Sequence, residues 1–292
     1  MKSRKYATSS PAQLQDQRGR AGSGLTATAR VVVVVDGGRS RIAELSGEPP
    51  LLPRRTGPRP GSGPGAGPVE VHLVGGAAGP LGGDLLRLEI DVGAGAALCL
   101  RTVAASVALP GPDGAESRFD LVATVAAGGR LSWLPEPLVA AAGCRHRAVA
   151  DVTVAEGGRL CWRDEVVCGR HGEEPGDAAV STTIRYAGRT LLRQDLAVGP
   201  GAPGWAGPAV LGGARAAGSL VLVEPDWAVG GPPPVDVWGP GAALLPLAGP
   251  AALGSVVDAD PRGVRALLDR CLAGAEQVSR AARNGSSADN LD

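Results

Sequence analysis

Residues 85–98 read LLRLEIDVGAGAAL, and the same plan returns at 117–131 as SRFDLVATVAAGGRL and at 146–160 as HRAVADVTVAEGGRL. Val92, Gly95 and Leu98 align with Val125, Gly128 and Leu131, then with Val154, Gly157 and Leu160, a recurring V-x-x-G-x-x-L. Each copy follows an alternating run. Leu86, Leu88, Ile90 and Val92 share one face of the first, while Arg87, Glu89 and Asp91 take the other. Phe119, Leu121, Ala123 and Val125 line up in the second, and Ala148, Ala150, Val152 and Val154 in the third. A period of two with one apolar face is the pattern of a half-buried strand. Each unit is therefore a strand, a glycine turn and a return strand. One such hairpin buries too little to stand alone. The repeat thus predicts a mainly β fold, a layered or solenoid-like stack of β-hairpins with few helices. A weaker fourth copy stands at 185–198, RYAGRTLLRQDLAV, where Gly188-Arg189 echoes the earlier Gly-Arg turns.

Working outward, residues 31–42, VVVVVDGGRSRI, predict a strand, a tight turn at Asp36-Gly37-Gly38 and a second strand. Residues 1–28 are polar and aperiodic, the pattern of a disordered leader, and 57–68, GPRPGSGPGAGP, form a breaker-rich loop. After Gly199 the repeat weakens. One good strand remains at 218–224, residues 231–255 are rich in Pro and Gly, and 261–273, PRGVRALLDRCLA, predict a helix with Val264, Leu267, Leu268 and Cys271 on one stripe. The expected organisation is a leader over 1–28, a hairpin-repeat domain over 29–230, a Pro/Gly-rich segment and helix over 231–275 packed on that domain, and a tail over 276–292.

The 292 residues carry 29 basic and 29 acidic side chains, so no general attraction to nucleic acid or to an acidic membrane surface is expected. The chain holds 45 Gly and 25 Pro but is only 3% aromatic, which leaves the core to Val, Leu and Ala and suggests some reliance on partners for stability. Five cysteines form no C-x-x-C pair, and neither an apolar leader nor a membrane-length apolar run occurs. A cytoplasmic protein with reduced thiols is the expectation.

Candidate chemistry is sparse. Gly82, Gly83 and Asp84 precede a strand rather than a helix, so LGGD is a tight lead-in, not a phosphate loop. Cys168 and His171 make a lone C-x-x-H pair, chemically suited to Ni²⁺ or Zn²⁺ but short of two further ligands. A metal-binding chaperone or metal-dependent enzyme built on that pair is the rival reading. No G-x-S-x-G or H-E-x-x-H pattern is present, and the Asp164-Glu165 and Glu173-Glu174 pairs read as solvated surface. Trp133 and Trp162 hold equivalent repeat positions, as core residues or as a stacking platform for a glycan. In WLPEP, residues 133–137, two prolines flank Glu136, so the strand must end there or run at an edge.

Together, GPLGGDLLRLEIDVGAGAALCLRT (79–102), SWLPEPLV (132–139) and GGRLCWRDEVVCGRHGEEPG (157–176) resemble the urease accessory protein D family, UreD, also called UreH. The matching positions are Gly82, Gly83, Asp84, Thr102, Trp133, Pro135, Glu136, Gly169, Arg170 and Glu173, within residues 70–215. The chain departs from the family at VAASVALPG, residues 103–111, and in a short Glu-Glu-Pro loop. The resemblance implies a non-catalytic scaffold that binds apo-urease and recruits an adaptor (UreF) and a nickel-carrying GTPase (UreG). It implies no tightly bound cofactor and a transient Ni²⁺, with an internal passage as the route expected of it. Weak oxygen sites would suit such transfer, and Asp84, Glu89 and Glu136 are the candidates within the matching segments.

Overall fold

The glycine turns carry the chain between two sheets. The computed structural model describes residues 24–57 and 67–288. Its strands, in chain order, begin with β1 (Thr26–Asp36), β2 (Arg39–Gly47), β3 (Leu51–Arg55), β4 (Val69–Gly75), β5 (Leu85–Val92) and β6 (Ala97–Thr102). They continue with β7 (Ser106–Ala108), β8 (Ser117–Val125), β9 (Arg130–Leu134), β10 (Leu138–Ala140), β11 (Arg145–Val154) and β12 (Arg159–Cys168). After β13 (Asp177–Tyr186), β14 (Arg189–Val198) and β15 (Ala216–Val223) comes a short helix, α1 (Trp227–Gly230). Strands β16 (Asp236–Val237), β17 (Ala242–Pro246) and β18 (Ala251–Asp258) then lead to α2 (Pro261–Ala288).

One sheet has seven strands in the order β14-β13-β11-β8-β5-β1-β2; the other has eleven, with β16-β17-β18-β15-β12-β9-β6-β4-β3 as its main path. Within each repeat unit the return strand does not pair with its own outgoing strand. It enters the opposite sheet and pairs in parallel with its counterpart in the next unit. Each unit is thus an arch, and arches stack into a solenoid-like body. The register follows the repeat. Val92 lies beside Val125 and Val125 beside Val154 in one sheet; Leu98 lies beside Leu131 and Leu131 beside Leu160 in the other.

The turns stack too. Gly95, Gly128 and Gly157 have φ of 68°, 68° and 78°, a region that glycine enters without a Cβ penalty. The Gly95 N–H donates to Ala127 O and that of Gly128 to Gly157 O, each at 3.2 Å, so backbone groups exposed by one turn are satisfied by the next. The fourth copy ends the series as a true antiparallel hairpin, β13–β14, in which the Tyr186 hydroxyl accepts the N–H of Gly157 at 3.0 Å.

Between the sheets lie Val31, Leu88, Ile90, Leu98, Leu100, Leu131 and Trp162, all at most 1% exposed. Outside the larger sheet, Val264, Leu268 and Cys271 of α2 pack on Ala216, Leu220, Leu222, Ala252 and Val256. Two glycines clear that seat. A Cβ on Gly218 would stand 2.6 Å from Val264 Cγ1, and one on Gly254 2.9 Å from Cys271 Sγ. The helix expected over 261–273 continues to Ala288, and the strand expected at 218–224 is β15 (Ala216–Val223). The strand β1 begins at Thr26, inside the span read as a leader; residues 1–23, and 58–66 of the breaker-rich loop, lie outside the described residues.

Candidate functional site, a cavity at a gap in the larger sheet

Pro135 and Pro137 have no N–H to give a ladder, and the larger sheet opens where they stand. Strand β12 pairs with β9 as far as Trp162–Trp133 and with β10 only from Val166–Leu138 onward. Residues 163–165 are left without a partner on that side. On the next layer β6 stops at Thr102 and β7 resumes at Ser106, so the gap is two strands deep. The Thr102 hydroxyl accepts the N–H of Glu136 at 2.8 Å, tying the WLPEP segment across the opening.

A cavity of about 130 Å³ occupies this gap, lined by Thr102, Pro135, Glu136, His146, Asp164, Glu165 and Thr182 among others. Asp164 and Glu165 are chain neighbours with side chains on opposite faces of β12, and the cavity borders both where the sheet is open. A second cavity of about 200 Å³ shares Asp164, Val166, Val180 and Thr182 with the first and extends to Gln194, Ser219 and Ser255. Asp164 stands at the junction.

Asp164 Oδ2 accepts from Trp162 Nε1 at 2.8 Å and from Thr182 Oγ1 at 2.9 Å. Burial pushes its carboxyl above the usual range, while hydrogen bonds from Trp162, Thr182 and Trp133 oppose the shift. His146 donates to or accepts from the Ser117 hydroxyl through Nδ1 at 2.9 Å, and burial lowers its pKa to about 4, which leaves it neutral near pH 7. On the outer face, Arg265 of α2 donates to Glu165 Oε1 at 2.7 Å and to both Glu136 oxygens at 3.3 Å. Arg163 Nε lies 3.0 Å from Glu165 Oε1. Burial raises the Glu165 carboxyl, against the pull of Arg265 and Arg163.

The ten motif positions divide into three groups. Thr102, Trp133, Pro135 and Glu136 meet at the cavity. Gly82, Gly83 and Asp84 build the lead-in to β5: Asp84 Oδ1 accepts the Leu25 N–H and Oδ2 the Leu81 N–H, each at 2.9 Å. Gly169, Arg170 and Glu173 form a surface loop, where the Arg170 guanidinium and backbone N–H hold the Glu173 carboxyl down to about 2. Of the three passage candidates, only Glu136 lines the cavity. Glu89 lies on the outer face of the smaller sheet in ion pairs with Arg30 and Arg87.

One sequence reading needs correction. Asp164 and Glu165 are not solvated surface; one lines the cavity and the other is 5% exposed. Trp133 and Trp162 are core residues, the first of the two readings their repeat position allowed: they are 4% and 1% exposed, with ring centroids 5.8 Å apart, and offer no platform for a glycan. Cys168 is buried among Ala108, Ala140, Cys144 and Val166, and burial raises its thiol to about 11, whereas His171 is exposed. Among the described residues no group of three or more His, Cys, Asp and Glu side chains is gathered to hold a metal ion, and no helix is long and apolar enough to cross a membrane.

The family model described as UreD urease accessory protein matches residues 25–281, nearly all of the solenoid and much of α2. The chain belongs to the UreD family. It is 46% identical over 252 residues to the urease accessory protein UreD of Streptomyces avermitilis, covering 86% of this chain and 97% of that one. The Streptomyces coelicolor protein of the same name is also 46% identical over 252 residues, at 86% and 96% coverage. That of a Parafrankia strain is 44% identical over 267 residues, at 84% and 87%. This UreD family member therefore matches the family well beyond residues 70–215, the span that holds the sequence motifs. Family membership supports a role in urease maturation.

Proposed function

We propose that the chain is a non-catalytic scaffold of urease maturation that binds apo-urease, recruits the adaptor UreF and the GTPase UreG, and offers Ni²⁺ a route through its interior. The observation that carries this reading is the cavity at the gap in the larger sheet. Its acidic and hydroxyl groups, Glu136, Glu165, Asp164, Thr102 and Thr182, recur along an otherwise apolar core. Oxygen donors spaced this way hold a borderline cation weakly and release it, whereas a thiolate cluster would retain it. Urease and other accessory proteins are the partners that the family implies, and the cytoplasm is the compartment in which they would meet. The test is recovery of the tagged chain from cells expressing urease subunits with UreF and UreG. Co-purification of urease with UreF supports the scaffold; a folded chain that recovers neither refutes it.

A further inference from the structure

Two of the carboxylates that line the cavity, Glu136 and Glu165, share one guanidinium, that of Arg265. Arg265 lies in the second turn of α2 and reaches two carboxylates from separate segments: Glu165 on β12, and Glu136 between its prolines. Burial differs sharply along this line. The Glu165 side chain is 2% exposed, those of Arg265 and Glu136 are 27% and 40% exposed, and so the contact marks the boundary between interior and solvent.

Glu165 is incompletely satisfied. Its Oε1 takes Arg265 at 2.7 Å, but its buried Oε2 has no hydrogen-bond partner. Arg163 Nε, although 3.0 Å from Oε1, is likewise buried without an aligned acceptor. A buried carboxylate oxygen left bare is unfavourable unless something else engages it. A structural staple between helix and sheet would be expected to use both oxygens, as paired guanidinium–carboxylate contacts do. Here Arg265 takes Glu165 by one oxygen through Nε and turns its two terminal nitrogens to the two oxygens of Glu136, so one guanidinium stands between both carboxylates.

We propose that Glu136 and Glu165 form a divalent-cation site at the cavity mouth, and that Arg265 keeps it closed until the first turns of α2 lift. The guanidinium and a divalent cation need the same carboxylate oxygens, so they exclude each other. With Arg265 docked, two carboxylates face two guanidiniums, Arg163 and Arg265; with it withdrawn the mouth is net acidic and opens onto Asp164. Asp269, one turn further along α2 and 60% exposed, contacts Arg163 at 3.5 Å and moves away with the same helix. The helix is seated on the two glycines Gly218 and Gly254, an apolar contact with no strand hydrogen bonds to break. A partner that draws α2 outward would therefore open the site without unfolding the solenoid. This inference deepens the nickel-route reading and rests on it for its purpose.

Titration of the full-length chain with Ni²⁺, followed by calorimetry, tests it. Wild type should bind weakly, Arg265→Gln about tenfold more tightly or better at one ion per chain, and Arg265→Gln/Glu165→Gln no more tightly than wild type. A folded Arg265→Gln chain with unchanged affinity overturns the proposal, as does a gain that survives Glu165→Gln. If Arg265→Gln does not fold, hydrogen exchange of the intact chain decides. Saturating Ni²⁺ should speed exchange in residues 261–268 of wild type but not of Glu165→Gln, and equal behaviour of the two overturns it. The two readings fail separately. Tightening on loss of Arg265, with urease activation indifferent to Asp164→Asn, would retain the closed site and discard the route; the reverse pattern would do the opposite.

Discussion

Trp162→Phe isolates the hydrogen bond that fixes Asp164 at the junction of the two cavities. The substitution keeps a ring in the column with Trp133 but removes the indole N–H that donates to Asp164 Oδ2 at 2.8 Å. A buried hydrogen bond contributes about 0.5–1.5 kcal/mol, or about 1.5–3 kcal/mol where the carboxyl is ionised, and the smaller ring adds a packing loss. Trp162→Ala, by contrast, should cost about 3–5 kcal/mol or more, because the ring is 1% exposed and pairs with a second indole. A double-mutant cycle separates the terms. In an Asp164→Leu background the N–H has lost its acceptor, so Trp162→Phe carries only the packing loss there, offset by removal of an orphaned donor. Urea unfolding, followed by near-ultraviolet circular dichroism, gives the four free energies. The predicted coupling is about 1–3 kcal/mol. A coupling within about 0.3 kcal/mol of zero would refute the claim that Trp162 holds Asp164 in place.

Gly218→Ala should loosen α2, because the new Cβ would meet Val264 Cγ1 at 2.6 Å and Leu268 Cδ1 at 2.7 Å. A cost of about 1–3 kcal/mol is expected, together with faster hydrogen exchange in residues 261–275 and little change in β5, β8 and β11. His146 should make the chain acid-sensitive. Its pKa is about 4 in the fold against about 6.5 when unfolded, so between those values the unfolded chain binds the extra proton and stability falls as pH drops. The loss attributable to this group is at most about 3 kcal/mol, and His146→Asn should flatten that window in thermal melts taken from pH 7 to pH 4.

Much of the fold was legible in the repeat. Val92, Val125 and Val154 do stack, as do Leu98, Leu131 and Leu160, because in-register alignment of like residues is what buries each strand's apolar face. What the residues could not tell apart was a hairpin from an arch. Both need the same glycine at positive φ, and the choice depends on which strand the turn's backbone groups meet, a long-range matter. The gap in the sheet was half legible: WLPEP announces a broken strand, but not that β12 runs past it unpaired. Asp164 was within reach of parity. Leu160, Trp162, Val166 and Cys168 point inward, so an aspartate at the same phase points inward too. Arg265 was not, because its partners, at positions 136 and 165, are remote in sequence and the helix carries no pattern that names them.

The most direct test of the interior route is the nickel content of urease matured in cells whose only copy of this chain carries Asp164→Asn and Glu136→Gln. Both substitutions keep shape and remove charge, and Asn still accepts from Trp162 and Thr182. The account predicts urease that co-purifies with the variant chain as with wild type, yet carries markedly less nickel and activity. Full nickel occupancy with the complex intact would contradict it.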